Sequence, residues 1–207
     1  LNKDAANSKV MVTGGNIVVK GDSVAAGVTG DNASVTFDGT NGNTTIQYNS
    51  FIIVYGNYAY TFTTLEAAIE KAIAGETIQM TRDVTINKTV TIAKDKKIIL
   101  DMNGHKLSFA VDNDGKASAI FNNLGDLSIV NSAAQESVIS FVASDPDLQA
   151  VPAYATNTIT NEATLYIGKG VTVSNESDGG ASYAVDDKGK FVLDGGTLTA
   201  KRCALRI

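Results

Sequence analysis

The chain has 207 residues, which is enough for a sizeable core and one or two domains. Its formal net charge is −5, and both signs are scattered along the sequence, which argues against DNA or RNA as a partner because neutralising phosphates requires clustered Lys and Arg. No apolar run approaches the length of a membrane span. Only 2 prolines but 19 glycines, with plentiful Thr, Val, Asn and Asp, favour regular strands joined by tight corners.

The first 56 residues have the pattern of a small β module. Short strand-like runs alternate with Gly, Asn and Asp turns at a spacing of about eight to twelve residues, which allows either a small antiparallel sandwich or extra coils of a solenoid. An Asp-Gly pair at 38–39 favours a hairpin, and an apolar strand over 51–55 comes after it. We therefore predict a separate, sandwich-like module over residues 1–56. Its earlier predicted strands are residues 10–12, 17–20, 33–37 and 44–48.

Residues 64–74 are predicted to form the one substantial helix. Thr63 and Glu66 match a capping box, in which each side chain bonds an otherwise unpaired backbone N–H. Gly75 then supplies the left-handed residue that commonly closes a helix. One face is apolar at the 3.6-residue period and should be buried against the next strands of the chain. Its residues are Leu65, Ala68, Ile69, Ala72 and Ile73.

After the helix, apolar residues come in pairs two positions apart, with Asp, Asn, Lys and Gly between the pairs. A strand side chain points inward at every second residue, so each pair supplies two core positions before the chain turns. The two-residue turn signals of hairpins are missing here. A regular alternation of strands and corners therefore indicates the coils of a β-solenoid. The pairs are Ile78/Met80, Val84/Ile86, Val90/Ile92 and Ile98/Leu100.

Together, the short helix, the paired strands and the phrase LDMNGHKL at 100–107 resemble the start of a right-handed parallel β-helix of the pectate-lyase-like class. The resemblance covers residues 57–207. It implies an all-β fold in which the helix covers the open N-terminal end of the solenoid. The class includes lyases, hydrolases, adhesins, phage spikes and inert surface proteins, so the resemblance leaves the function open.

A looser repeat begins after residue 120. Its apolar pairs are Leu127/Ile129, Leu165/Ile167 and Phe191/Leu193, and we expect all of them to face one continuous interior. The unequal spacing indicates either loops of different length or one hidden coil between the first two pairs. Residues 140–158 contain both prolines and are the best candidate for a projecting loop. Corner residues Asn122, Asn161 and Asp186 are predicted to stack along the axis.

The one histidine and the one cysteine are each interpreted as structural. His105 could act as a proton shuttle, but it lies within the fold-building phrase and has no carboxylate beside it in sequence. Cys203 excludes an internal disulfide and is expected to be a small buried residue of the last coil, because nothing near it in sequence supplies the base that a nucleophile needs.

The acidic residues and arginines complete no catalytic set or metal site. The run Asp112, Asn113, Asp114, Gly115 resembles the start of a calcium loop, but the twelfth position is Asn123 instead of Glu, so a solvated turn is favoured. The other acidic pairs are at 145/147 and 186/187. An inverting glycosidase needs two carboxylates across a cleft, but a solenoid glycosidase takes them from neighbouring coils, so pairs that are close in sequence do not decide the question. The resemblance to pectate lyases implies calcium-binding Asp residues and a basic residue as catalytic base, and the three arginines do not complete that set. These arginines are Arg82, Arg202 and Arg206.

We expect no catalytic, cofactor or metal site, and a structural or adhesive module of an exported bacterial surface protein or phage particle. The alternatives are a fragment of a polysaccharide lyase or glycoside hydrolase, and a carbohydrate-binding module. Tyr55, Tyr58 and Tyr60 could stack on sugars, but packing of the joint before the helix is favoured. Partners would be glycans or other surface or particle proteins.

The chain stops at KRCALRI directly after a strand pattern. The last coil of a solenoid must be covered, since its backbone groups are otherwise unpaired. We therefore expect the sequence to be a piece of a longer protein, or another chain to cover this end by self-association.

Overall fold

The computed structural model describes residues 17–20, 33–38, 43–55, 58–109, 119–142, 156–177 and 182–207. These residues form twenty strands and one helix, so the predicted all-β class is confirmed. In the described part of the chain, no helix is long and apolar enough to cross a membrane.

The N-terminal strands form a small antiparallel sheet. It contains β1 (Ile17–Lys20), β2 (Ala33–Asp38) and β3 (Asn43–Tyr48), in the order β1-β3-β2. Because Asp38 pairs with Asn43, β2 and β3 form the hairpin that the Asp-Gly pair predicts. The strand predicted over 10–12 lies outside the described residues.

A second hairpin leads into the helix. Strand β4 (Phe51–Tyr55) pairs antiparallel with β5 (Tyr58–Phe62), and the helix α1 (Leu65–Lys71) comes next. Phe51 and Ile53 are buried, while the neighbouring Val54 is exposed, so the apolar run 51–55 has one buried face.

Beyond the helix the strands come in groups of three, each of which we call a pass. The first pass is β6 (Thr77–Met80), β7 (Val84–Ile86) and β8 (Val90–Ile92), and the second is β9 (Lys97–Asp101), β10 (Lys106–Phe109) and β11 (Ala119–Asn123). The third pass is β12 (Asp126–Val130), β13 (Ser137–Phe141) and β14 (Asn157–Asn161), and the fourth is β15 (Thr164–Gly168), β16 (Val171–Asn175) and β17 (Tyr183–Asp187). The fifth pass is β18 (Lys190–Asp194), β19 (Thr197–Ala200) and β20 (Cys203–Arg206).

Equivalent strands of successive passes pair in parallel. The first strands form one sheet, the second strands another and the third strands a third, so that the chain visits the three sheets in turn. The first sheet is extended by β4, which pairs antiparallel with β6, and by β5. The arrangement is compatible with the predicted parallel β-helix. The strand over 51–55 thus belongs to the first sheet, and the division of the chain at residue 56 stays a prediction.

The core is one continuous cluster built from inward-facing rows. Leu127 pairs with Ile98 on one side and with Leu165 on the other, and all three are buried. The predicted pairs are therefore confirmed as members of one interior from residue 90 to residue 167. The last pair differs, because Phe191 is only partly buried and Leu193 is 45% exposed. The reason is that β18 is the last strand in its sheet order, so the structure describes no strand over it.

The uneven spacing of the repeat comes from loop length. Strands β12 and β15 pair directly although 38 residues separate Leu127 from Leu165, so the hidden coil is excluded. Most of the additional residues connect β13 to β14, which is where the projecting loop is predicted, and the others connect β12 to β13. The predicted range 140–158 is too wide, because residues 140 and 141 belong to β13 and residues 157 and 158 belong to β14. Residues 143–155, with both prolines, lie outside the described residues.

The helix exists as predicted, but both of its ends differ. Its cap is Thr64, whose Oγ1 accepts the N–H of Ala67 at 3.3 Å, so the capping box built on Thr63 is wrong. The helix ends at Lys71, because Ala72 is already extended. Gly75 does have a positive φ of 85°, but in the turn that leads into β6.

The early end of the helix changes which residues are buried. Leu65, Ala68, Ile69 and Ala72 are buried as predicted. Ile73 is 59% exposed, because the helical period no longer applies once the chain has become extended. The helix contacts β4, β5 and β8, so it lies over the first pass.

Candidate functional site

A buried polar ladder runs through the third sheet. Asn123, Asn161 and Asp187 end the strands β11, β14 and β17 and lie in register. The Nδ2 of Asn123 donates to Oδ1 of Asn161 at 2.6 Å, and the Nδ2 of Asn161 donates to Oδ1 of Asp187 at 2.5 Å. Because all three side chains are buried, each hydrogen bond ties one pass to the next inside the protein.

Only the middle member of this ladder was predicted correctly. Asn122 and Asp186 stand one residue before the observed members and lie in register with Thr160. Neighbouring residues of a strand point to opposite faces, so an error of one position places the side chain on the face opposite to the ladder.

The corners after Asn123 and Asp187 are each closed by the ladder side chain and a glycine. Oδ1 of Asn123 accepts the N–H of Gly125 at 3.3 Å, and Oδ1 of Asp187 accepts the N–H of Gly189 at the same distance. A Cβ on Gly125 would lie 2.2 Å from the carbonyl oxygen of Ala93, so the preceding pass leaves no room for a side chain. At the middle corner the same position is Ala163, whose N–H donates to Oδ1 of Asn161 at 3.4 Å. An Asn or Asp followed two residues later by Gly or Ala therefore marks where one pass ends and the next begins.

Asp101 forms a second junction, between three passes. Its Oδ2 accepts from Nε2 of Gln79 at 2.8 Å and from Oγ of Ser132 at 2.6 Å. Its Oδ1 accepts from the backbone N–H groups of Ser132 and Asn103 at 2.9 and 3.0 Å. Burial raises the pKa of this carboxyl, but the hydrogen bonds from Ser132, Gln79 and Asn103 outweigh burial and lower the pKa overall. The anion is thus held by four donors, which makes it a weak base.

The sequence does not single out Asp101 as a functional residue. It appears there only as the aspartate of the LDMNGHKL phrase. The signal that could have revealed it is its position directly after an inward-facing apolar pair, where the strand ends and its last side chain can reach both neighbouring passes.

His105 has a carboxylate partner that is distant from it in the sequence. Its Nδ1 lies 3.3 Å from Oδ1 of Asp83, which comes from the corner after β6. The same Asp83 oxygen accepts the backbone N–H of Lys106 at 2.9 Å. The pair links the first pass to the second. Across the described residues, no group of three or more His, Cys, Asp and Glu side chains is arranged to hold a metal ion.

The acidic pair at 186 and 187 is divided between two faces of its strand. Asp187 belongs to the buried ladder, whereas both oxygens of Asp186 accept from the guanidinium of Arg206. Asn157 also donates to Asp186, at 3.2 Å, and the guanidinium carbon of Arg206 lies 4.7 Å from the ring centroid of Tyr183. The hydrogen bonds to Asp186 raise the pKa of Arg206. The two carboxylates therefore do not face each other across a cleft, as a glycosidase would require.

Cys203 is exposed, so its predicted burial is wrong. It begins β20, the last strand of the third sheet, and its Sγ donates to the carbonyl oxygen of Leu205 at 3.1 Å. A position in the last pass has no further pass to bury it within the described chain.

The other candidate residues are not brought together. Tyr60 is 50% exposed with the ammonium of Lys71 5.9 Å from its ring centroid, so its ring does not fill a joint as predicted. Arg82 lies in the corner after β6 and Arg202 lies between β19 and β20, at opposite ends of the stacked passes. The candidates that lie outside the described residues are Asp112, Asn113, Asp114, Gly115, Asp145 and Asp147.

The comparisons with known proteins identify no relative. No protein-family model, no curated protein and no solved structure matches the chain.

Proposed function

We propose that the chain is a non-catalytic structural or adhesive module of an exported bacterial surface protein or a phage particle, built as a right-handed parallel β-helix like those of the pectate-lyase-like class. One observation carries the proposal: the side chains best suited to chemistry each bind a residue of another pass. His105 reaches back to Asp83, Asp101 bridges three passes, and Asp186 binds Arg206 of the fifth pass.

The contacts of Asp101 and Asp186 occupy both oxygens of each carboxylate. A catalytic acid or base must face a cleft with a free proton site and a pKa near the working pH. Asp101 instead has donors on both oxygens and a lowered pKa, and Asp186 is buried against a bidentate guanidinium. Such contacts favour a rigid stack of passes, because each one joins side chains of different passes.

The proposed location outside the cell is supported by the way in which the chain is stabilised. Its one cysteine provides no internal disulfide, and the repeated apolar rows and polar ladder distribute the stabilising contacts over every pass. A rod of this kind can extend from a cell surface or a virion and present its outer faces to glycans or to neighbouring surface proteins.

We expect the purified chain to show no turnover on pectin, alginate or glycosaminoglycans, measured by the appearance of reducing ends and of unsaturated products. Replacing His105, Asp112, Asp114, Asp145 or Asp147 should leave this background unchanged, because the proposal assigns no reaction to these residues. A glycan array tests the carbohydrate-binding alternative in parallel.

The contradicting result is cleavage that His105→Ala abolishes and Asp95→Asn does not. Asp95 is the matched control because its carboxylate is exposed in the corner after β8, away from the His105–Asp83 pair. Such a result would replace the structural proposal with the enzyme alternative.

A further inference from the structure

The corner between β9 and β10 contains an Asn-Gly sequence. Asn103 and Gly104 have positive φ angles of 47° and 77°. The N–H of His105 donates to the carbonyl oxygen of Met102 at 2.8 Å and closes the turn. These features define a type I′ turn, in which Asn-Gly is a preferred pair. Because β9 and β10 belong to different sheets, the turn forms a corner of the stack and not a hairpin.

Asn-Gly is also the sequence in which an asparagine side chain deamidates most readily, because no glycine side chain hinders the reaction. The glycine nitrogen loses its proton and attacks the carbon of the side-chain amide. The amide nitrogen takes up a proton and leaves as ammonia, and a cyclic succinimide forms. Water then opens the succinimide to aspartate or isoaspartate. The reaction therefore requires a free glycine N–H that can approach the asparagine side chain.

In this corner the two reacting groups are held by different passes. Nδ2 of Asn103 donates to the carbonyl oxygen of Met80, in the first pass, at 3.1 Å. The N–H of Gly104 donates to Oδ1 of Asn131, directly after β12 of the third pass, at 2.9 Å. The second pass lies between the first and the third, so the side chain and the backbone nitrogen are directed towards opposite neighbours.

The contact with the third pass is itself held in place. Nδ2 of Asn131 donates to the carbonyl oxygens of Gln135 at 2.7 Å and Gly170 at 3.1 Å, which fixes the side-chain amide. Nε2 of Gln135 donates in turn to the carbonyl oxygen of Gly104. Gly104 is buried, so its N–H has little access to the solvent that would remove the proton.

We propose that Asn103–Gly104 is a latent deamidation site, which the stacked passes keep unreactive and which reacts when the passes separate. Separation frees the N–H of Gly104 and the side chain of Asn103 together. The product opposes closure, because an aspartate at this position has no N–H for Met80 and adds a negative charge beside Asp101. Isoaspartate also adds a methylene group to the backbone of a tight turn. A transient opening of the stack is thereby made permanent.

The unaltered chain provides the first test. Samples are incubated either folded or unfolded in guanidinium chloride, then digested, and mass spectrometry measures the deamidation of each asparagine. We expect Asn103 to convert in the unfolded chain and to stay unmodified in the folded chain. Asn41, which also precedes a glycine, is the reference for the rate in the unfolded chain. Conversion of Asn103 at the same rate in both samples would overturn the proposal.

Two substitutions at Asn131 test the contact that holds the nitrogen. Asn131→Ala removes the oxygen that accepts from Gly104, whereas Asn131→Asp keeps an oxygen there, and both lose the Nδ2 donor. We expect Asn103 to deamidate about fivefold faster or more in the alanine variant, because one hydrogen bond changes a local opening equilibrium by about that factor. Circular dichroism establishes that both variants are folded, and the test on the unaltered chain does not depend on them. Equal rates in two folded variants would overturn the proposed role of this contact.

Discussion

Replacing Asn161 with alanine should lower the free energy of unfolding by about 3 kcal/mol or more, since unsatisfied buried polar groups cost about 1–3 kcal/mol each. Asn161 is fully buried at the middle of the ladder. Its loss removes the Oδ1 atom that accepts from Nδ2 of Asn123. It also removes the Nδ2 atom that donates to the buried carboxylate of Asp187 at 2.5 Å. Urea denaturation of the variant beside the parent chain measures the difference.

Two adjacent asparagines provide a matched comparison for this prediction. Asn123 belongs to the ladder, whereas Asn122 is half-buried on the other face of the same strand. Asn123→Ala should lower the free energy of unfolding by about 2 kcal/mol, and Asn122→Ala should lower it by less than about 0.5 kcal/mol. Equal effects at the two positions would show that the ladder does not stabilise the stack.

Replacing Ile69 with aspartate should lower the free energy of unfolding by about 4 kcal/mol or more, because it removes a buried aliphatic side chain and places a charge in its position. Ile69 lies on the helix face that packs over the first pass, with the buried Leu65 and Ala68 beside it. Thermal unfolding followed by far-ultraviolet circular dichroism, which reports the strand content, measures the loss.

Ile73→Asp is the control for the helix prediction. The residue is identical and only four positions away, but its side chain is 59% exposed beyond the end of the helix. We expect the free energy of unfolding to change by no more than about 0.5 kcal/mol, as for other surface substitutions. A loss as large as that of Ile69→Asp would mean that the helix continues to residue 74, as its sequence pattern predicts.

The interior could be predicted from the sequence because it depends on a local period. Side chains of a strand alternate strictly, so pairs such as Ile98/Leu100 and Leu165/Ile167 identify inward positions without knowledge of the pairing. The helix was found by the same logic at a different period. The ends of the helix could not be predicted in this way. At its start, two adjacent threonines can each cap a helix, and at its end, only the packing of the next strand decides where the chain becomes extended.

The contacts between passes could not be predicted in the same way. Asp83 and His105 are 22 residues apart, and the choice between Asn122 and Asn123 depends on which residue of the strand faces inward at its end. Burial in the fifth pass likewise depends on whether another strand covers it. Leu193 and Cys203 have the sequence pattern of interior residues, but the structure describes no further strand above them.

The central claim is that successive passes stack in register, so that the stack grows by one strand spacing per pass. Thr85 and Thr199 are exposed on the outer row of the second sheet, where the pairing runs through Ser108, Ser140 and Ser174. Spin labels on cysteines at these two positions, in a Cys203→Ser background diluted with unlabelled chain, report their separation by pulsed electron paramagnetic resonance. Four strand spacings predict a distance centred near about 19 Å, allowing for the length of the labels. A distribution centred beyond about 30 Å would place β7 and β19 outside one parallel sheet and contradict the stacked arrangement.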